Sequence, residues 1–271
     1  MKILILLMSC NHWFFQEEEQ IVKNTWLKPV VEGKYPEIDY YFYTTGETDY
    51  IDKDNHKIYV SCYDSWYSTF YKTKRAFTIV KENLEYDYVV RVNLSTYVNI
   101  KMLLAVIKFY LEPNNDKHIW GMELYNDKNT FYLIGKFLIF RKEDVDVIIN
   151  SNKTFEKELA ADDAIYGMIF NDIRKYDTLR CCYVAPRLMS PLNHEDIDDY
   201  LLQCLAISYR VYIFDDIKNS YDHRKIDEFQ LAYKIHDFFL EHPKLTKENF
   251  MGCIKYKNKH CFYNGIGPKY L

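Results

Sequence analysis

Tyr86-Asp87-Tyr88-Val89-Val90-Arg91-Val92, closed by the polar Asn93-Leu94-Ser95-Thr96, decides the fold class of this 271-residue chain. An apolar run of that length between polar residues reads as a strand buried on both faces, the situation of a central strand in an α/β sheet. Upstream of it, the spacing predicts a helix from about Phe70 to Asn83 and strands at Lys57–Val60, Tyr40–Tyr43 and Ile3–Met8. Between the first two of these strands in chain order, a helix is predicted over Glu17–Thr25, with acidic residues in its first turn, where the helix dipole favours them. Downstream come a helix over Met102–Tyr110, a loop at Pro113-Asn114-Asn115-Asp116, a strand at His118–Met122 and an apolar stretch over Tyr132–Arg141. Helices follow over Glu143–Asn150 and Asp162–Phe170. After Arg187 the pattern loosens, leaving a strand over Ala206–Phe214 and an amphipathic helix over Lys225–Leu240. Alternation of this kind predicts one Rossmann-like α/β domain with a mixed, mostly parallel central sheet. Residues 1–187 are read as the core, and 188–271 as a C-terminal extension packed on the same domain.

Composition narrows the function classes. Hydrophobic residues make up 48% and charged residues 27%, the balance of a folded globular chain. The net charge of -4 argues against a nucleic-acid partner, because phosphate binding needs a basic face. Seven scattered cysteines without a CxxC pair fit free thiols in a reducing compartment and argue against a structural zinc site. The adjacent Cys181-Cys182 is read as buried strand. Lys2–Met8 resembles the start of a signal peptide, but the run is short and ends in Ser9-Cys10-Asn11-His12, so a first buried strand is the reading taken. With no other stretch approaching a membrane span, a cytoplasmic protein is expected.

Ligands of open α/β sheets bind beyond the carboxyl ends of the strands. That rule directs attention to Ser9–His12, Tyr63–Thr69, Asn93–Tyr97 and the loop before Asp162. There is no GxGxxG after the first strand, no Walker sequence and no GxSxG elbow, so dinucleotide redox chemistry, P-loop phosphoryl transfer and serine hydrolysis all lose ground. His12 and Trp13 stand where a nucleotide base could stack, and Trp13 reads equally as a core residue. Asp215-Asp216 with His223 could form a metal site, but reads more simply as a strand-end turn; His194-Glu195-Asp196 with Asp198-Asp199 reads as an acidic helix start.

Several blocks, in order, resemble the β-1,3-galactosyltransferase and fringe-like glycosyltransferases. Val22-Lys23-Asn24-Thr25-Trp26 is similar to "IRxTW", and Asp64-Ser65-Trp66-Tyr67-Ser68-Thr69-Phe70-Tyr71-Lys72-Thr73 to "DSYxNLTxKT". The Tyr86–Val92 strand resembles "YDYVLKV", Tyr132–Phe140 resembles "YxxGxGYVLS", and Asp162-Asp163-Ala164-Ile165-Tyr166-Gly167 resembles "EDVYVG". The resemblance covers roughly residues 2–170 and implies a GT-A fold of the nucleotide-diphospho-sugar transferase type. It also implies inverting transfer from a UDP-sugar to an acceptor hydroxyl on a glycan or glycoprotein. Glu19 and Lys23 stand where these enzymes often carry arginines, so Glu19 reverses a charge.

One block departs. Where the resembled enzymes place "DDDxFVN", this chain has Asn93-Leu94-Ser95-Thr96-Tyr97-Val98-Asn99, a degenerate DxD motif. The resemblance implies a divalent cation, Mn²⁺ or Mg²⁺, at that motif. Asn93 and Ser95 carry no charge to hold one, so no metal ligand is assigned. Two readings follow: a metal-independent enzyme in which basic side chains offset the diphosphate charge, or an inactive nucleotide- or carbohydrate-binding protein of the same fold. Basic candidates are Arg91, Lys72, Arg75, Arg210, Lys218 and Arg224. The donor-binding set is Ser9, Asn11, Asp64, Lys72, Arg91, Asn93, Ser95 and Arg210. Asp163, with Asp162 beside it, matches the family's acidic position and is the candidate base. The plainer alternative is an aspartate that caps a helix start. A bacterial or viral cytosolic enzyme fits these features.

Overall fold

A computed structural model describes residues 1–65, 68–113, 119–125, 131–152, 162–173, 176–178, 181–184, 208–211, 221–241, 261–263 and 268–270. The chain divides into two compact units. The first comprises residues 1–19, 29–94 and 115–178; the second comprises 20–28, 95–114 and 179–271.

The first unit is built on one eight-stranded sheet. In chain order its strands are β1 (Ile3–Met8), β2 (Ile38–Thr45), β3 (Tyr50–Asp52), β4 (Lys57–Val60) and β5 (Tyr88–Asn93), with β6 assigned below to the other unit. They continue with β7 (Ile119–Tyr125), β8 (Phe131–Arg141) and β9 (Tyr176–Thr178). The spatial order is β3-β4-β2-β1-β5-β8-β7-β9. The pairs β1–β2, β1–β5, β2–β4 and β7–β9 are parallel, and β3–β4, β5–β8 and β7–β8 antiparallel. The expected mixed, mostly parallel α/β sheet is therefore the observed one. Ile5, Leu6 and Leu7 of β1 and Val89, Val90 and Val92 of β5 are fully buried, which is why both strands read as unbroken apolar runs.

Helices α1 (Trp13–Asn24), α2 (Lys28–Val31), α3 (Thr69–Asn83), α5 (Lys142–Asn150) and α6 (Asp162–Ile173) follow strands along the chain, with α4 given below. Helices α3, α5 and α6 cover one face, where Phe77, Phe140 and Tyr166 interlock: ring centres lie 5.5 Å apart for Phe77–Phe140 and 5.7 Å for Phe140–Tyr166. Tyr166 also meets Phe70, at 5.6 Å, which brings the beginning of α6 to the same end of the sheet as the beginning of α3.

Helix α1 starts four residues before the expected Glu17. The ring Nδ1 of His12 accepts the amide of Phe14 at 3.3 Å, and the His12 carbonyl accepts from Gln16 at 3.2 Å. A histidine thus takes the capping role that sequence rules give to Ser, Thr, Asp or Asn. The acidic residues consequently sit within the helix, not in its first turn, and Glu18 and Glu19 are buried.

The second unit has a five-stranded sheet in the order β13-β12-β10-β11-β6. Its strands are β6 (Thr96–Val98), β10 (Cys181–Val184), β11 (Ser208–Val211), β12 (Cys261–Tyr263) and β13 (Pro268–Tyr270). Cys181 and Cys182 lie in a strand, as expected. The helix expected over Met102–Tyr110 is α4 (Ile100–Val106) running into a π-helical turn, Ile107–Leu111. Asn99 caps α4 by accepting the Met102 amide at 3.1 Å. The long helix α7 (Tyr221–Glu241) packs on β11. Among the described residues no helix is long and apolar enough to cross a membrane.

Within this unit His236 of α7 meets Tyr97 of β6, with 3.2 Å between ring Nδ1 and phenol oxygen, and Phe239 stacks on the same tyrosine at 5.7 Å. Burial holds the His236 pKa below the ordinary 6.5; Lys28 adds to this and Asp237 opposes it. The unfolded chain therefore takes up the proton more readily than the folded one. Stability should be full above about pH 7 and decline as pH falls toward about 5, with His236→Gln flattening that slope in a series of melting curves. An unchanged slope in the variant would show that His236 stays solvated.

Candidate functional site at the carboxyl edge of the first sheet

Register fixes where the edge lies. Met8 pairs with Tyr43 on one side and with Asn93 on the other, so β1 and β5 end at one level and β2 runs two residues further, to Thr45. Ser9, the first residue beyond, is fully buried and donates its amide to the Tyr43 carbonyl at 2.9 Å. Its hydroxyl donates to Glu19 Oε1 at 2.5 Å, and Glu19 Oε2 pairs with Lys57 Nζ at 3.0 Å. The reversed charge at Glu19 thus has a local cause: it holds the turn after β1 against α1.

Asp64 is the second anchor. Its Oδ2 accepts from the Asn11 amide and from the Thr45 hydroxyl, each at 3.4 Å, and its Oδ1 accepts from Cys10 Sγ at 3.6 Å. Lys72 of α3 pairs with the same Oδ1 at 2.9 Å and donates to the Ser9 carbonyl. Four expected donor residues, Ser9, Asn11, Asp64 and Lys72, are therefore brought together. Burial pushes the Cys10 thiol up to about 11, with Lys72 pulling the other way and Asp64 adding to the rise. The thiol is thus a neutral donor at physiological pH, and the network is a rigid frame for the backbone after β1.

Arg91 is fully buried in β5. Its Nε donates to the Tyr43 hydroxyl at 3.3 Å, and its Nη2 lies 3.2 Å from Met8 Sδ. Tyr43 and Thr73 hydroxyls are 2.9 Å apart, and Thr73 donates to the Thr69 carbonyl at 3.0 Å. Because the Thr73 proton is committed there, Tyr43 donates to Thr73 and accepts from Arg91. The guanidinium is bound into a relay linking β2, β5 and α3. Two strand positions on, Asn93 keeps a buried Oδ1 with no hydrogen-bond partner. Against the antiparallel neighbour, Val92 pairs with Phe137, so Asn93 and Lys136 come next. Lys136 is only 2% exposed.

The remaining candidates are placed as follows. Asp162 and Asp163 begin α6. Ser95 and Arg210 belong to the second unit, Arg210 pairing with Thr96 across β11 and β6. Arg75 is exposed and paired with Asp49. His223 and Arg224 lie in α7. Trp66, Tyr67, His194 to Asp199, Asp215, Asp216 and Lys218 lie outside the described residues. Trp13 is 43% exposed, with His12 tilted against it at 5.5 Å. The loop after β5 has no carboxylate, and among the described residues no group of three or more His, Cys, Asp or Glu could hold a metal.

Sequence reasoning passed over Cys10, Tyr43, Thr45 and Lys136 as contributors to this edge. Only Lys136 left a trace, a charge inside the apolar run Phe131–Phe140. The others are ordinary strand or turn residues, made significant by register.

No protein-family model matches the chain, and no curated protein is detectably similar in sequence. Solved structures do resemble it. A glycosyltransferase involved in glycosylating the major capsid of the virus PBCV-1 superposes with a TM-score of 0.52 at 10% identity, over 85% of this chain and 100% of that one. The glycosyltransferase GlyE of Streptococcus pneumoniae TIGR4 gives 0.40 at 10% identity, over 92% of this chain and 66% of that one. TarS residues 1–349 of S. aureus gives 0.39 at 12%, over 62% and 55%. At 10% identity the likeness to the first of these is one of fold, a GT-A-like mixed α/β architecture.

Proposed function

We propose that this chain is a glycosyltransferase that moves a sugar from a UDP-sugar to an acceptor hydroxyl of a glycan or glycoprotein, with inversion and without a metal ion. The observation that carries the reading is the convergence, at one carboxyl edge of a GT-A type sheet, of the turn after β1, the Asp64 turn and the end of β5. Open α/β sheets take their ligands at that edge. In this reading residues 1–187 carry the donor site and the base, residues 188–271 serve as an extension, and Ser9, Asn11, Asp64, Lys72, Arg91 and Asn93 of the first unit line the donor site.

The chemistry has two requirements. A base must take the acceptor proton as its oxygen forms the new bond to the anomeric carbon, and Asp163 at the head of α6 is assigned that task. As that bond forms on the face opposite the nucleotide, the bond to the β-phosphate oxygen breaks and UDP departs with the electron pair. Positive charge must meet the diphosphate as it leaves. The uncharged Asn93-Leu94-Ser95 loop supports metal independence; it equally favours a second reading, a binding protein that keeps the fold without turnover.

Both are separated by assaying hydrolysis and transfer with a panel of nucleotide-sugars, with and without EDTA. The expected result is turnover of a UDP-sugar that EDTA leaves undiminished. Complete loss in EDTA would restore the metal, and UDP binding without turnover on any donor would establish the binding protein.

A further inference from the structure

The resembled enzymes meet the donor diphosphate with a cation on carboxylates, and this chain has an amide and a hydroxyl there. A cation is nevertheless close by, on the next strand. The β5–β8 ladder ends at the Val92–Phe137 pair, and Asn93 and Lys136 are the next residues on the two strands. The strand is irregular at this point: Gly121 of β7 pairs with Leu138 and Met122 with Ile134, so residues 135–137 are extra on the β8 side. Bulges re-aim side chains and recur beside active sites.

Lys136 is 2% exposed, and among the described residues the only other buried lysine is the Asp64-paired Lys72. Burying an ammonium carries a substantial desolvation cost, which a protein sustains only where an anion or polar groups compensate. Lys136 has an interaction within the fold. An ammonium with three donors can keep one partner and present the others to a ligand.

Asn93 supplies an independent observation. Its Oδ1 is buried near the same level of the sheet, and among the described residues none hydrogen-bonds to it. Buried acceptors are rarely left so, and one at a sheet's carboxyl edge is suited to a ligand hydroxyl. A cation and an orphaned acceptor on adjoining strand positions match a ligand carrying phosphate and hydroxyls together, which a nucleoside diphosphate does.

We propose that Lys136 supplies the positive charge that meets the donor diphosphate, beside Asn93, where the resembled enzymes carry a divalent cation. This assignment rests on the UDP-sugar reading above.

The test is calorimetric titration of the full chain with UDP, UMP and uridine, in EDTA throughout. Wild type, Lys136→Met and Lys136→Arg are compared, with Lys81→Met as a control, since Lys81 is half-exposed and paired with Asp146. Lys136→Met should weaken UDP at least about tenfold and leave uridine unchanged, while Lys136→Arg stays close to wild type. Should the Met variant not fold, Lys136→Gln keeps a donor without the charge and carries the same expectation. Equal weakening of UDP and uridine, or no weakening of either, overturns the assignment and leaves Lys136 as an internal structural cation. Failure of wild type to bind UDP overturns the donor reading and this assignment with it.

Discussion

Replacing Asp64 by alanine is expected to lower the unfolding free energy by about 3 kcal/mol, and replacing Lys72 by methionine by only about 1 kcal/mol. The asymmetry follows from what each change leaves behind. The Lys72 side chain is 2% exposed and that of Asp64 29%. Without the carboxylate, the ammonium remains buried with the Ser9 carbonyl and the Cys10 sulfur, 3.9 Å away, as its described partners. Without the ammonium, the carboxylate keeps the Asn11 amide, the Thr45 hydroxyl and access to water. Urea unfolding of both variants and of the double variant checks this, and the double variant should recover much of the Asp64→Ala loss. Equal single-variant costs, or a costlier Lys72→Met, would contradict the account. Cys10 provides a second readout on the same pair. Burial is the largest cause of its raised pKa, but Lys72 lowers it and Asp64 raises it. Alkylation at Cys10, followed by peptide mass mapping, should therefore quicken in Asp64→Ala and slow in Lys72→Met.

Two strands of the first sheet were legible, running over the same residues in sequence and structure: Ile3–Met8, whose burial on both faces leaves an unbroken apolar run, and Lys57–Val60, where buried Ile58 and Val60 alternate with half-buried neighbours. Short strands were not. Tyr50–Asp52 and Thr96–Val98 are three residues long, too short for any period, and pairing defines them: Tyr50 with Tyr59, Thr96 with Arg210. The helix expected over Glu17–Thr25 was legible but its true start was not, because an imidazole caps only when its ring is turned onto the right amide. The candidate site divides in the same way. Asp64 and Lys72 stand eight residues apart in one recognisable segment, so their association was readable. Lys136 and Asn93, forty-three positions apart in sequence, are the residues that follow the last β5–β8 pair on the two antiparallel strands, and only the register reveals it.

That same edge changes how Arg91 is understood. As a charge ending an apolar strand, it looked like the residue to meet a diphosphate. The structure commits its Nε to the Tyr43–Thr73 relay. In the donor reading it orients its surroundings, and the direct electrostatic task falls to the adjoining position on β8.

Asp163→Asn should reduce transfer by about a hundredfold to ten-thousandfold, the range for loss of a general base, with the melting temperature held. The substitution discriminates because of where the residue stands. Asp162 and Asp163 open α6, where an aspartate can cap the helix, favour its dipole, or act on a substrate. Asparagine retains the capping capacity and shape of aspartate, so a purely structural Asp163 would tolerate the change in both stability and activity. A base would not, since the amide cannot take a proton from the acceptor hydroxyl. Asp162→Asn serves as the neighbouring control: it leaves the carboxylate assigned as base in place and should therefore keep turnover. Measuring kcat across pH for both variants on a working donor decides the matter. If Asp163→Asn turns over like wild type, the base lies elsewhere; if Asp162→Asn is the inactive one, the roles of the two carboxylates are exchanged.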